Sequence, residues 1–230
     1  MLIAQNISKN YNDIQAIKNL SFSIAPGEIF CLLGQNGAGK TTTITIFLGL
    51  LKPSSGKASI NNISVTNSKL IRKQIAYIPE TVQLYSDFTA LENLDFFSRL
   101  AGFRYAKEEL KAFLQQVNLQ EEAYLKKLIT YSKGMRQKVS IAIALAKKAS
   151  YILMDEPTSG LDPKASLEFA KTCKQLATNG VGILMATHDI FNAVSIGSRI
   201  GIMKEGQIVY TTETAKISAQ ELQDLYIKTI

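Results

Sequence analysis

Gly34-Gln35-Asn36-Gly37-Ala38-Gly39-Lys40-Thr41-Thr42 is the stretch from which the fold can be read. An unbroken apolar run, Ile29–Leu33, leads into it, and a helical stretch from about Lys40 to Leu50 leads out. The spacing is Gly-x-x-x-x-Gly-Lys-Thr. Glycine carries no Cβ, so the backbone N–H groups of such a loop turn inward around an anion without collision. The helix that follows presents its positive N-terminal end to the same anion. A lysine at position 40 reaches phosphate oxygens, and the Thr41 hydroxyl is suited to Mg²⁺. Context counts as much as the letters, because strand, loop and helix come in the required order.

Upstream, Ile3, Ile7 and Leu20–Ile24 read as strands around a polar turn at Lys9–Asp13, and Pro26-Gly27 marks a further turn. Downstream, Pro53–Gly56 breaks the chain before strand-like sequence at Lys57–Ser64 and Gln74–Ile78. From Leu91 to Ala149 the period changes. Leu110, Phe113, Leu114 and Val117 recur as one buried helical face requires, and so do Met135, Val139, Ala142, Ile143 and Ala146. Apolar strands return at Tyr151–Met154 and Gly182–Ala186, separated by the helical stretch Lys164–Ala177. This order predicts a mainly parallel sheet carrying a helical insert. The tail from Glu213 to Ile230 reads as helix, with Leu222, Leu225 and Tyr226 on one side, packed either at home or on a partner.

A chain of 230 residues suffices for one α/β domain and is short for two. Its 46% hydrophobic and 20% charged residues argue against disorder. Apolar runs stay far below the ~20 residues of a membrane span, and no secretory signal is read at the N-terminus. Cys31 and Cys173 fall in no metal-ligand spacing, which fits a reducing cytosol without a disulfide framework. The net charge of +7 is scattered over several helices rather than gathered in a tract, so nucleic acid is not the expected partner.

Tyr151–Met154 ends in Asp155-Glu156. At the C-terminal edge of a buried strand, Asp155 is placed to accept hydrogen bonds from Mg²⁺-bound water, and Glu156 to polarise an attacking water. His188, the only histidine, follows Gly182–Ala186 within Thr187-His188-Asp189. A lone histidine is more often structural, but one just past a sheet strand is positioned to donate to a γ-phosphate.

Together with Tyr131-Ser132-Lys133-Gly134-Met135-Arg136-Gln137, these residues resemble the nucleotide-binding domains of ABC ATPases over essentially the whole chain. That segment is similar to the family's Leu-Ser-Gly-Gly-Gln signature, with Lys133 and Met135 departing from it; Ser132 also reads as a helix N-cap. The resemblance implies an α/β P-loop NTPase fold. Its core is a RecA-like, mainly parallel sheet at about 1–84 and 150–230, with an N-terminal antiparallel β-subdomain and a helical subdomain at about 85–149. It implies that ATP is cradled by residues 34–42, with Tyr11 stacking on adenine. Ser132 and Gly134 would face the γ-phosphate held by a second subunit, and Asp162, in Ser159-Gly160-Leu161-Asp162, would couple the two sites. Thr41, Asp155 and Glu80 would serve Mg²⁺. The family usually has glutamine where this chain has Glu80, and Gln83 is the rival for that role.

The forms Pro79-Glu80 and Ser-Lys-Gly-Met are similar to small bacterial export ATPases. The resemblance therefore implies an ATP-hydrolysing transporter subunit, working as a homodimer or with a related subunit. It would act on the inner face of the membrane and dock near Glu80–Asn93 on a separate membrane-spanning permease. Two alternatives are a soluble ATPase acting on nucleic acid or the ribosome, and a regulatory or force-transmitting module.

Overall fold

The computed structural model describes residues 1–230. The chain opens with a hairpin, β1 (Leu2–Tyr11) and β2 (Ile14–Ile24), then enters β3 (Ile29–Leu33) and α1 (Lys40–Phe47). There follow β4 (Ser55–Ile60), β5 (Ile63–Ser64), α2 (Ser68–Gln74) and β6 (Ile75–Ile78). A helical run comes next: α3 (Ala90–Leu100), α4 (Lys107–Gln116) and α5 (Lys133–Ala146). The chain then alternates through β7 (Tyr151–Asp155), α6 (Pro163–Thr178), β8 (Gly182–Thr187), α7 (Ile190–Ile196) and β9 (Arg199–Lys204). It finishes with β10 (Gln207–Glu213) and α8 (Ala219–Thr229).

Two sheets result, in the orders β2-β1-β4-β5 and β10-β9-β3-β8-β7-β6. The first is antiparallel; the second is parallel except for β10, which pairs antiparallel with β9. All five residues of β3 are buried, as a central parallel strand covered on both faces demands. Its side chains divide by the two-residue period of a strand. Ile29, Cys31 and Leu33 join a core with α5, α6 and α7, whereas Phe30 and Leu32 join one with α1 and the antiparallel sheet. Burial of each such side chain is worth ~1.5–3 kcal/mol, so the strand that carries the glycine loop is pinned from both sides.

Helix ends are set by local chemistry. α1 stops at Phe47, short of the expected Leu50, because Gly49 adopts φ 68° and closes the helix. The Gly49 N–H donates to Ile46 O at 3.0 Å and the Leu50 N–H to Thr45 O at 3.2 Å, a Schellman closure. α3 starts in a capping box in which Thr89 and Glu92 exchange hydrogen bonds with each other's backbone.

Two expectations are corrected, and one question the sequence left open is answered. Lys9–Tyr11 is not turn but strand, and Asn12-Asp13 alone makes the hairpin turn, with Asn12 at φ 49°. In the tail, β10 runs to Glu213, a single 3-10 turn covers Thr214–Lys216, and the α-helix begins only at Ala219. That helix packs at home: Leu222 is fully buried, with Leu225, Tyr226 and Ile230 against the same core.

Candidate functional site

The loop 34–39 leaves β3 at the C-terminal edge of the parallel sheet, where β7 and β8 also end. It is tied down by neighbours: the Gly34 N–H donates to Thr187 O at 3.2 Å, and the Gly206 N–H to Ala38 O at 2.9 Å. Gly39, φ 106°, has room for no side chain, because a Cβ there would stand 2.7 Å from Ala16 O. At Gly37, φ 85°, a Cβ would meet nothing within 4 Å, so that part of the loop opens onto a cavity. The cavity measures about 450 Å³ and is lined by Gln35, Asn36, Gly37, Gly39, Lys40, Thr41 and Thr42 on one wall. Glu80, Asp155 and Glu156 line the other, whereas Gly34 and Ala38 lie in the buried base of the loop.

Lys40 is buried, yet its ammonium is fully occupied. It donates to Gly34 O at 2.6 Å and Gln35 O at 3.2 Å, and lies 3.5 Å from Glu156 Oε1. Glu156 itself sits at φ 46°, a conformation costly for a residue with a Cβ. Its N–H is held by Ala186 O at 2.9 Å. Its Oε2 is met by His188 Nδ1 at 2.9 Å and by the His188 N–H at 3.3 Å. Its Oε1 is buried and accepts no hydrogen bond, with the Lys40 ammonium 3.5 Å away as its one polar neighbour.

Burial, more than any other cause, raises the Asp155 pKa; Glu156 and Glu80 raise it further, while a hydrogen bond with Thr41 and the Lys40 charge oppose them. Thr41, Asp155 and Glu80 thus offer hydroxyl and carboxylate oxygens around one corner, a donor set suited to a hard cation such as Mg²⁺. Glu80 Oε1 accepts from Ser159 Oγ at 2.9 Å. Gln83 lines a different cleft, so Glu80 holds the position at this corner.

The remaining expected residues stand elsewhere. Tyr11 ends β1, 45% exposed and outside the cavity lining, with Lys9 Nζ 5.2 Å from its ring centre. Ser132 caps α5 by accepting from the Met135 N–H at 3.3 Å, and Gly134 is close to Ala165, where an added Cβ would stand 3.2 Å away. Both line a separate cleft with Leu161 and Ala165 rather than the cavity of their own chain's loop. Asp162 caps α6 through the Ala165 N–H at 2.9 Å.

Sequence reasoning missed two connectors. Gln137 is buried and its amide donates to Pro157 O, which joins α5 to the loop after Glu156. Asn192 joins that loop to Asp189, with contacts to Thr158 Oγ1 at 3.2 Å and Asp189 Oδ2 at 2.6 Å. Gln137 was signalled by its place at the end of the 131–137 segment; Asn192 had no such signal.

A parallel sheet whose central strand opens into this loop, with an acidic pair at the end of β7, one strand beyond its neighbour β8, defines a P-loop nucleoside triphosphatase. Residues 17–159 match the family model described as ABC transporter. The chain is 35% identical over 228 residues to the ABC transporter ATP-binding protein YxlF of Bacillus subtilis (strain 168), covering 98% of this chain and 75% of that protein. Linearmycin resistance ATP-binding protein LnrL of the same strain is 36% identical, covering 91% and 68%. Nod factor export ATP-binding protein I of Rhizobium etli (strain ATCC 51251 / DSM 11541 / JCM 21823 / NBRC 15573 / CFN 42) is 33% identical, covering 89% and 65%. The chain therefore spans between 65% and 75% of the length of these relatives. Among solved structures, the ATP-binding cassette MJ0796 in a dimeric post-hydrolysis state bound to ADP and Pi superposes with TM-score 0.81 at 29% identity, over 93% of this chain and 99% of that one. An ATP binding subunit of an ABC transporter does so with TM-score 0.83 at 30% identity, over 99% and 98%. The protein belongs to the ABC transporter family and is an ATP-binding, ATP-hydrolysing subunit.

Proposed function

We propose that this chain powers an exporter: two copies, or this chain and a related one, close over ATP and Mg²⁺ and drive a separate membrane-spanning polypeptide. The observation that carries the reading is the split between the two clefts. The cavity beside Lys40 and Glu156 is lined by the glycine loop, the Lys40 side chain and carboxylates, yet the capped end of α5 opens into another cleft of the same chain. A hydroxyl and a helix N-terminus that do not meet their own loop are suited to completing a second copy's site. Asp162, beside that cleft, is the proposed coupling residue.

Within the site, residues 34–42 cradle the phosphates and Lys40 turns from the loop carbonyls to phosphate oxygens. Thr41, Asp155 and Glu80 would hold Mg²⁺, which would supply neutralisation of phosphate charge. Glu156 accepts a proton from the attacking water through the carboxylate that His188 and Lys40 keep oriented. His188, 61% exposed at its side chain, is able to turn from Glu156 to the γ-phosphate. Tyr11 stacks on adenine, which its exposure permits.

Export is supported by the names of two relatives, linearmycin resistance and Nod factor export proteins. No helix here is long and apolar enough to cross a membrane. The partner docks where the core, about 1–84 and 150–230, meets the helical segment, about 85–149, on the cytoplasmic face of the membrane. Tyr85, Phe88 and Phe96, all partly exposed, cluster there. Co-reconstitution with the co-purifying membrane protein tests this: ATP-dependent efflux from vesicles is expected with the wild type and not with Lys40→Ala. Efflux unaffected by Lys40→Ala, or ATP turnover that drives no flux, would remove the exporter reading.

A further inference from the structure

Glu80 follows β6 closely in the chain and is exposed, yet it lines the cavity together with Thr41 and Asp155. A carboxylate only accepts hydrogen bonds, so a donor from elsewhere has to fix its rotation. One such donor is present. Ser159 Oγ donates to Glu80 Oε1 at 2.9 Å, although the two residues stand 79 positions apart in the sequence. Glu80 makes no other side-chain hydrogen bond and no ion pair within the chain. One of its oxygens is therefore held and the other, Oε2, is uncommitted.

The hydroxyl is presented from a frame fixed on three sides. Glu156 turns the chain at φ 46°, and the Ser159 N–H closes the turn by donating to Glu156 O at 3.2 Å. From α5, the Gln137 amide donates to Pro157 O. From α7, the Asn192 amide donates to Thr158 Oγ1 at 3.2 Å. The backbone that carries Ser159 is thus set by contacts in which Glu80 takes no part. An exposed carboxylate needs no protein donor for its solvation, since water supplies one. What a donor on a fixed frame adds is direction.

We propose that Ser159 is a positioning residue for the cation corner: by holding Oε1 of Glu80 it keeps Oε2 available beside Thr41 and Asp155. The inference rests on the reading of Glu80 as a Mg²⁺ ligand and adds the residue that orients it. A ligand oriented in advance by an outer hydrogen bond loses less freedom when it captures the ion. The same bond ties the corner to the loop that carries Asp162.

The test titrates Mn²⁺, followed by electron paramagnetic resonance, into the full-length protein loaded with ADP and freed of excess nucleotide. Ser159→Ala should weaken Mn²⁺ binding by about tenfold, and Ser159→Thr, which keeps a hydroxyl, should restore most of it. Glu80→Ala should weaken binding at least as much, and adding Ser159→Ala to it should change nothing further. In steady-state hydrolysis, Ser159→Ala should raise the Mg²⁺ concentration for half-maximal turnover by a similar factor, with kcat at saturating Mg²⁺ retained. A fall in kcat with no change in the Mg²⁺ requirement overturns the inference. If Glu80→Ala weakens Mn²⁺ but Ser159→Ala does not, or Ser159→Ala acts equally in the Glu80→Ala background, this inference alone falls. If Glu80→Ala leaves Mn²⁺ affinity unchanged, the reading of Glu80 as a ligand falls with it.

Discussion

Glu156 occupies a left-handed backbone conformation, φ 46°, that costs ~1–2 kcal/mol for a residue with a Cβ. The surroundings over-determine it: its N–H is held by Ala186 O, while His188 and Lys40 hold its two carboxylate oxygens. Oε1 is left with the Lys40 ammonium at 3.5 Å and no hydrogen bond, so its lone pairs are not committed. Glu156→Gln should therefore lower hydrolysis by ~10²–10⁴-fold with ATP affinity retained, as phosphate release and nucleotide titration would report. Turnover within a few-fold of wild type would refute the role. Asp155 makes an opposite kind of statement. Its folded-state pKa is raised, so the folded protein holds that proton more tightly than the unfolded chain, and stability is lost as pH rises through the folded value. Asp155→Asn should accordingly raise the Tm of nucleotide-free protein at neutral pH, by an amount that shrinks as pH falls through the carboxylate range. A constant difference at all pH would contradict it. Both carboxylates were legible in the sequence because an apolar strand ended in them. The left-handed turn of Glu156 and the Ser159 hydroxyl on Glu80 were not, since each depends on a chain segment that folding brings alongside.

At the scale of elements, the glycine loop was the most legible part of the chain. Its spacing is fixed by the anion it wraps, and nothing distant has to be known to read it. Gly39 shows how tight the fit is, with Ala16 O and Met203 Cε both under 3 Å from a would-be Cβ. Gly39→Ala should destabilise the protein by ~1–3 kcal/mol and weaken nucleotide binding; an unchanged denaturation midpoint would mean the loop relaxes freely. The helices α4 and α5 were equally readable, because their buried faces repeat at the helical period. The first hairpin was not. Lys9, Asn10 and Tyr11 are polar or exposed, and the strand they form is stabilised by pairing with Ile14–Ile17 rather than by burial. The β9–β10 hairpin went unread although Glu205-Gly206 gives it a turn of two left-handed residues, because β10 is largely exposed and lacks alternation.

Over the whole molecule, the last helix turns out to belong to this chain's own core. Leu222 is fully buried, and Lys204 Nζ donates to Thr229 O at 2.9 Å. Leu222→Ala should cost ~2–5 kcal/mol, read as a fall of several degrees in Tm with catalysis at low temperature largely kept. A Tm equal to wild type would show the helix to be detachable. The sequence alone left this open, since an amphipathic helix looks the same whether its apolar face meets its own core or a partner. The same limit governs the proposed split site: the glycine loop and the capped end of α5 are each readable, but whether they meet across two copies is a property of the assembly. The most direct test is sedimentation velocity of Glu156→Gln with and without saturating Mg²⁺ and ATP. The proposed closure of two copies predicts monomer without nucleotide and a stable dimer with it; a species that stays monomeric at saturating ATP would contradict it.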